Sequence, residues 1–195
     1  ESLTFGGYWA WDPVENASLV PWLILIAGLH TMVIYKATGH SLRASYLFSI
    51  LTFIFILYST FLTRTGILGD TSVHAFTEAG NAINIMIITF VLAFALPMFF
   101  LFFSNLKNIP NIQKEEQTSS REFWMFIGSL VFFLTALFII LSTSLPVFNK
   151  LSESLKFLNG ILPNDPFPKK FNVGEDVLYY YNRIIIFAAI IIGIL

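Results

Sequence analysis

Five apolar runs divide the chain and constrain its fold more than any other feature. They extend from about Ser18 to Lys36, Tyr46 to Leu62, Ala82 to Phe103 and Phe123 to Leu141, with a shorter one beginning near Ile184. Each of the first four has the roughly seventeen or more residues that a helix needs to cross a hydrocarbon core. None alternates apolar and polar residues in the period-two pattern of a barrel strand. The expected fold class is therefore all-α, a polytopic transmembrane helical protein with four full spans and a truncated fifth. Ile184 to Leu195 is an unbroken apolar end of the chain, about 18 Å of helix against a core of about 30 Å. That run is expected to continue. Since Glu1 is not an initiator Met, residues 1–195 are expected to be one membrane-embedded region, an internal fragment of a longer chain.

Charge removes the other classes. Only 12% of residues are charged and the mean hydropathy is +0.74, whereas soluble domains carry about 25% charge. A net charge of −1 provides no basic field for a phosphate backbone, so the expected surroundings are membrane lipid and no nucleic acid. With no cysteine, disulfide frameworks, thiolate metal sites and cysteine nucleophiles all drop out.

Alternate loops must share a side. Lys36, Arg43, Lys107, Lys114 and Arg121 flank one set of loops; Arg64, Lys150, Lys156, Lys169, Lys170 and Arg183 flank the other. The totals are nearly equal, but short loops weigh most in the positive-inside rule, which puts the Lys36/Arg43 turn in the cytoplasm. The segment 1–17, the polar loop 64–81 and the Pro- and Gly-rich loop 149–182 are then expected to face outward. Tyr179, Tyr180 and Tyr181, like Trp124, fit an interfacial aromatic belt.

The densest chemistry lies in Gly6-Gly7-Tyr8-Trp9-Ala10-Trp11-Asp12-Pro13-Val14-Glu15. Asp12, Pro13 and Glu15 form the start of a helix with a capping box, which disfavours Asp12 and Glu15 as acid–base catalysts. The tryptophans can anchor at the interface. A Gly pair and three aromatics ahead of a charged cap also suit a flat apolar platform for a planar hydrophobic ligand.

His30 lies about 13 Å along a helix from Pro21 and about 9 Å from Lys36, inside the hydrocarbon. An ionisable group at that depth is a functional candidate, the alternative being a neutral imidazole bonded to a neighbouring helix. His74 sits in the 64–81 loop, on the same side as Trp9 and Trp11. His40, in the Lys36-side turn, is assigned to solvent. Arg64 ends the second span, as a snorkelling charge or as a guanidinium clamp for a carboxylate. The segment from Asn159 to Gly174 is a candidate surface for a protein partner.

The run from Trp9 to Ser18 resembles the tryptophan-rich WWD signature of haem-handling proteins. Its extension through Pro21-Trp22 is similar to the CcmF branch of cytochrome c-type biogenesis proteins. So are Thr60-Phe61-Leu62-Thr63-Arg64-Thr65-Gly66-Ile67-Leu68, Thr71-Ser72-Val73-His74-Ala75-Phe76, Ser120-Arg121-Glu122 and Tyr180-Tyr181-Asn182. Two departures stand out: Tyr8 where a tryptophan is common, and Gly69-Asp70 as an insertion.

The resemblance implies a subunit of a haem lyase in the bacterial plasma (inner) membrane. Such a subunit presents haem at the outer face for thioether attachment to apocytochrome c, alongside other cytochrome c maturation proteins. With a haem as the ligand, Trp9, Trp11 and Asp12 of the platform and Arg64, as a propionate clamp, are the residues expected to hold it. His74 would be that haem's axial ligand, and His30 an axial ligand of a buried haem b. Two imidazoles on one iron approach from opposite faces, so residues at these two depths are expected to serve two haems. The resemblance places the partner ligands before and after the region covered. Two rivals share parts of this pattern: a haem exporter or chaperone of the WWD type without lyase activity, and a non-haem membrane transporter. The latter needs a polar pathway, yet the spans hold little besides His30, Asn84 and scattered Ser and Thr.

Overall fold

In the computed structural model, the apolar runs become helices because a backbone surrounded by lipid must satisfy its own hydrogen bonds. The structure describes residues 9–69, 71–72, 74–76, 80–110, 112, 118–155, 171–174 and 176–194. The Gly6-Gly7-Tyr8 opening, Asp70, Val73, Lys114, Lys156 and the Asn159–Lys170 part of the candidate partner surface lie outside them. Among the described residues six helices follow one another: α1 (Pro13–Thr38), α2 (Leu42–Arg64), α3 (Asn81–Asn105), α4 (Arg121–Thr143), α5 (Leu145–Leu155) and α6 (Val177–Ile194). All but α5 are long and apolar enough to cross a membrane, and no strand occurs among the described residues. The protein is an all-α, multi-pass membrane protein.

The 149–182 segment departs from expectation at both ends. α5 begins one residue after α4, its Pro146 in the first turn where a missing N–H costs nothing. The fifth span begins at Val177 rather than near Ile184. The tyrosines expected in a belt before the span are thus its first turns, because Asp176 caps them: its carboxylate accepts from the Tyr179 N–H at 2.8 Å.

α1 is the axis of the bundle and packs against both α2 and α4. Ala17, Val20, Ile24, Ala27, Thr31 and Ile34 are all buried, at intervals of three and four residues that keep one stripe facing inward. Gly28 lets α2 come close; a Cβ there would stand 3.3 Å from Phe48 Cβ. α6 packs on α4, and among the described helices α3 touches only α2. Phe102 is the one buried residue of α3, so its apolar surface faces outward.

The Lys36 end is closed tightly. Gly39 ends α1 in the left-handed region (φ 79°), its N–H bonded to the Tyr35 carbonyl. A Cβ there would fall 2.7 Å from Ile112 Cδ1. Arg43 donates to the Ile109 carbonyl at 3.3 Å, joining the two loops of this end. His40, expected in solvent, is half-buried in this turn, since the short turn presses it against its own helix end. At the opposite end the segment before α1, the loop after α2 and the segment leading into α6 meet.

Candidate functional site

The site starts from the cap of α1. Asp12 Oδ2 accepts from the Val14 N–H at 2.9 Å, and Glu15 Oε2 accepts from the N–H groups of Asp12 at 3.2 Å and Ala10 at 3.0 Å. The capping box read from the sequence therefore forms. It turns the chain sharply, and Trp11 takes a φ of 57°, a left-handed conformation that costs a bulky residue about 1–3 kcal/mol.

Three contacts hold Trp11 there. Asn16, fully buried, donates to its carbonyl at 3.1 Å. The indole N–H donates to Asn182 Oδ1 at 2.8 Å. The ring stacks on Tyr181 at 5.1 Å, 15° from parallel. Trp9 meets Trp11 edge-on, at 81°. The two tryptophans therefore do not make the flat platform expected from their spacing. A buried indole N–H needs an acceptor; α6 supplies it, and the ring lies flat on Tyr181 instead of beside Trp9. Trp11 is 8% exposed and Trp9 39%, so Trp9 is the accessible member.

The loop after α2 brings the imidazole. Ser72 donates to Asp12 Oδ2 at 2.7 Å and accepts from the His74 N–H at 3.1 Å. His74 Nδ1 stands 3.6 Å from Asp12 Oδ1, with both side chains largely buried. Two residues on, Phe76 lies under the Arg64 guanidinium, 4.0 Å from the ring centroid, a cation–π contact. Trp9, Trp11, Asp12, His74 and Arg64 thus gather at one end of the bundle.

His30 does not join them. It follows Asp12 by 18 positions in the chain, about 27 Å along the helix axis. Its Nδ1 donates to the Ile26 carbonyl of its own helix at 2.8 Å, and its ring lies 5.8 Å from Phe132 of α4. The neighbouring-helix hydrogen bond considered from the sequence is replaced by this internal one. A carbonyl can only accept, so Nδ1 carries a proton and Nε2 is the nitrogen left to meet another group.

Beside Asp12 lies a cavity of about 1020 Å³, whose walls include Trp11, Phe76, Thr143, Lys150 and Tyr181. Ser142, Thr143 and Tyr181 form a buried hydroxyl-bearing wall, while Lys150 and Glu153 of α5 bring charge to the rim. Several of these residues escaped the sequence reading. Lys150 was only a loop charge there, although Leu145-Pro146 after a Ser is a helix-start signal. Tyr181 and Asn182 stood in a quoted motif, but nothing in it pairs them with Trp11.

A polytopic membrane protein with aromatic and carboxylate groups lining a cavity at one end of its bundle, and an imidazole behind the carboxylate, is the class these features define. The family described as Cytochrome C assembly protein matches residues 2–68. The chain is 45% identical over 94 residues to the cytochrome c-type biogenesis protein NrfE of Haemophilus influenzae, covering 48% of this chain and 14% of that one. It is 34% identical over 150 residues to the cytochrome c-type biogenesis protein CcmF of Pseudomonas aeruginosa, covering 74% of this chain and 22% of that one. Identity to the cytochrome c-type biogenesis protein CycK of Bradyrhizobium diazoefficiens is 46% over 87 residues, or 44% of this chain and 13% of that one. No solved structure matches.

The chain belongs to the CcmF-type cytochrome c biogenesis proteins, and its role lies in cytochrome c-type biogenesis. It spans between 13% and 22% of the length of these relatives.

Proposed function

We propose that this region is part of the haem-binding membrane subunit of a cytochrome c haem lyase, presenting haem at the extracytoplasmic face of the bacterial plasma membrane to apocytochrome c. The observation that carries the reading is that Asp12 and Trp11 line a cavity of about 1020 Å³ while His74 stands directly behind Asp12. A cavity of that size matches a drug- or cofactor-sized ligand. The apolar faces of Phe76, Trp11 and Val173 in its wall suit a macrocycle, and Lys150 in the same wall suits a carboxylate, with Arg64 one contact further out over the Phe76 ring.

Bound haem supplies an iron with two axial positions and two vinyl groups that accept thiols. In the attachment itself each cysteine S–H adds across a vinyl C=C: sulfur bonds to one carbon, the proton goes to the other, and nothing is oxidised. The chain therefore needs no nucleophile of its own, which agrees with its lack of cysteine. Its residues act by positioning. His74 offers an axial nitrogen to the substrate haem, and Trp9 covers an exposed edge.

His30 belongs to a second station holding haem b. Its Nδ1–H bond to Ile26 is the kind of backbone contact that fixes a ligating imidazole and leaves Nε2 for a metal. Other maturation proteins are the expected partners. The Lys36/Arg43 turn faces the cytoplasm, by the weight of short loops.

The test is covalent haem staining of a cytochrome c co-expressed with the full-length protein carrying His74→Ala. Staining is expected to fall at least tenfold while the protein still accumulates in the membrane. Undiminished staining overturns the lyase reading. Retained haem loading with no staining even in the unaltered protein favours an exporter or chaperone instead.

A further inference from the structure

The Asp12 carboxylate has two oxygens with different work. Oδ2 accepts from Val14 and from Ser72, so the group cannot rotate. Oδ1 is thereby aimed at His74 Nδ1, 3.6 Å away. That separation lies about 0.4 Å beyond the usual N–H···O range, and a turn of the ring toward the carboxylate is what makes the bond. Ser72 grips the loop from the other side, since its hydroxyl also accepts from the His74 backbone N–H. One carboxylate therefore holds the helix start, the loop and the ring together.

A helix cap needs none of this. Capping uses the Val14 and Glu15 backbone N–H groups, and the Glu15 carboxylate completes the box without His74. We infer that Asp12 is a positioning residue for His74: its Oδ1 accepts a hydrogen bond from Nδ1–H, which fixes the tautomer and leaves the Nε2 lone pair for the iron of the haem substrate. The inference rests on the proposed function, which makes His74 a haem ligand. An anionic acceptor behind an imidazole makes it a more electron-rich ligand, which stabilises ferric over ferrous iron and lowers the midpoint potential.

The test uses the full-length protein in detergent, loaded with haem, and a spectroelectrochemical titration of the absorbance that His74→Ala removes. Asp12→Asn keeps an N-cap side chain of equal quality and an oxygen for Ser72, but loses the charge. It is expected to retain haem and to shift that component to a higher potential. Ser72→Ala keeps the charge but releases the carboxylate and the loop from each other, and is expected to shift the potential in the same direction by less. A potential identical in Asp12→Asn and the unaltered protein overturns the inference.

A second measurement covers loss of loading in Asp12→Asn. His74→Gly is supplied with free imidazole, with and without Asp12→Asn, and haem retention is followed against imidazole concentration. At least tenfold more imidazole is expected to be needed without the carboxylate; equal requirements overturn the inference. If His74→Ala removes no absorbance at all, the haem reading of this site fails, an outcome distinct from any response of Asp12.

Discussion

The two ends of the bundle are built differently. At the Lys36 end, neighbours in sequence close a short turn around Gly39, and one side-chain bond from Arg43 to the Ile109 carbonyl ties in the next loop. At the Trp11 end, four helices and a loop meet through bonds between residues as far apart as Trp11 and Asn182. The first end is a closure; the second encloses a cavity and a conformation, that of Trp11, which its own backbone disfavours. Strain of that kind survives only where surrounding contacts over-determine it. His30 belongs to neither end: about 27 Å from Asp12 and about 12 Å from Thr38 along α1, it is set by its own helix and one ring on α4.

The largest effect should separate the two histidines. His30→Ala is expected to remove most of the b-type signal from reduced-minus-oxidised spectra of the purified full-length protein. His74→Ala is expected to leave that signal nearly intact, because a helix cannot shorten the distance between them. The reverse pattern would break the assignment of two separate stations.

Next come the tryptophans. Trp11→Ala removes a buried ring, its stack on Tyr181 and its bond to Asn182, and is expected to cost about 3–5 kcal/mol. Trp9→Ala, at an exposed position, is expected to cost far less. Denaturant unfolding in detergent would measure both; equal costs would mean that Trp11 is not the keystone of its end.

Asn182→Leu is a smaller perturbation, stranding the Trp11 indole N–H at about 1–3 kcal/mol. A melting temperature unchanged from the parent would show that water or another group replaces Asn182. The smallest effect is assigned to the Lys36 end. Gly39→Ala forces an alanine to positive φ and a methyl toward Ile112 Cδ1, at a cost of about 1 kcal/mol if the flexible isoleucine end yields. Haem spectra should not change with it, and a change would couple the two ends.

Much of this architecture is written in local pattern. Span number and type follow from apolar length, because a backbone in lipid has no partner but itself. The cap at Asp12, Pro13 and Glu15 follows from three adjacent residues, and the depth of His30 follows from helical rise. α5 and the early start of α6 were missed because polar and aromatic residues there obscure the apolar signal; Pro146 and Asp176 start those helices instead.

What the sequence could not determine is orientation. Trp9 and Trp11 lie two residues apart, and the spacing permits a shared plane; only Asn182 and Tyr181, brought alongside by the packing of α6 on α4, turn one ring away from the other. His74 and Asp12 likewise look independent along the chain. Their approach depends on Ser72 folding the loop back over the helix start. Helical register and apolar length act within a single segment, so sequence alone determines them. The direction of a buried polar group is decided by whichever partner the tertiary fold brings within reach, because leaving that group unpaired costs more than turning it.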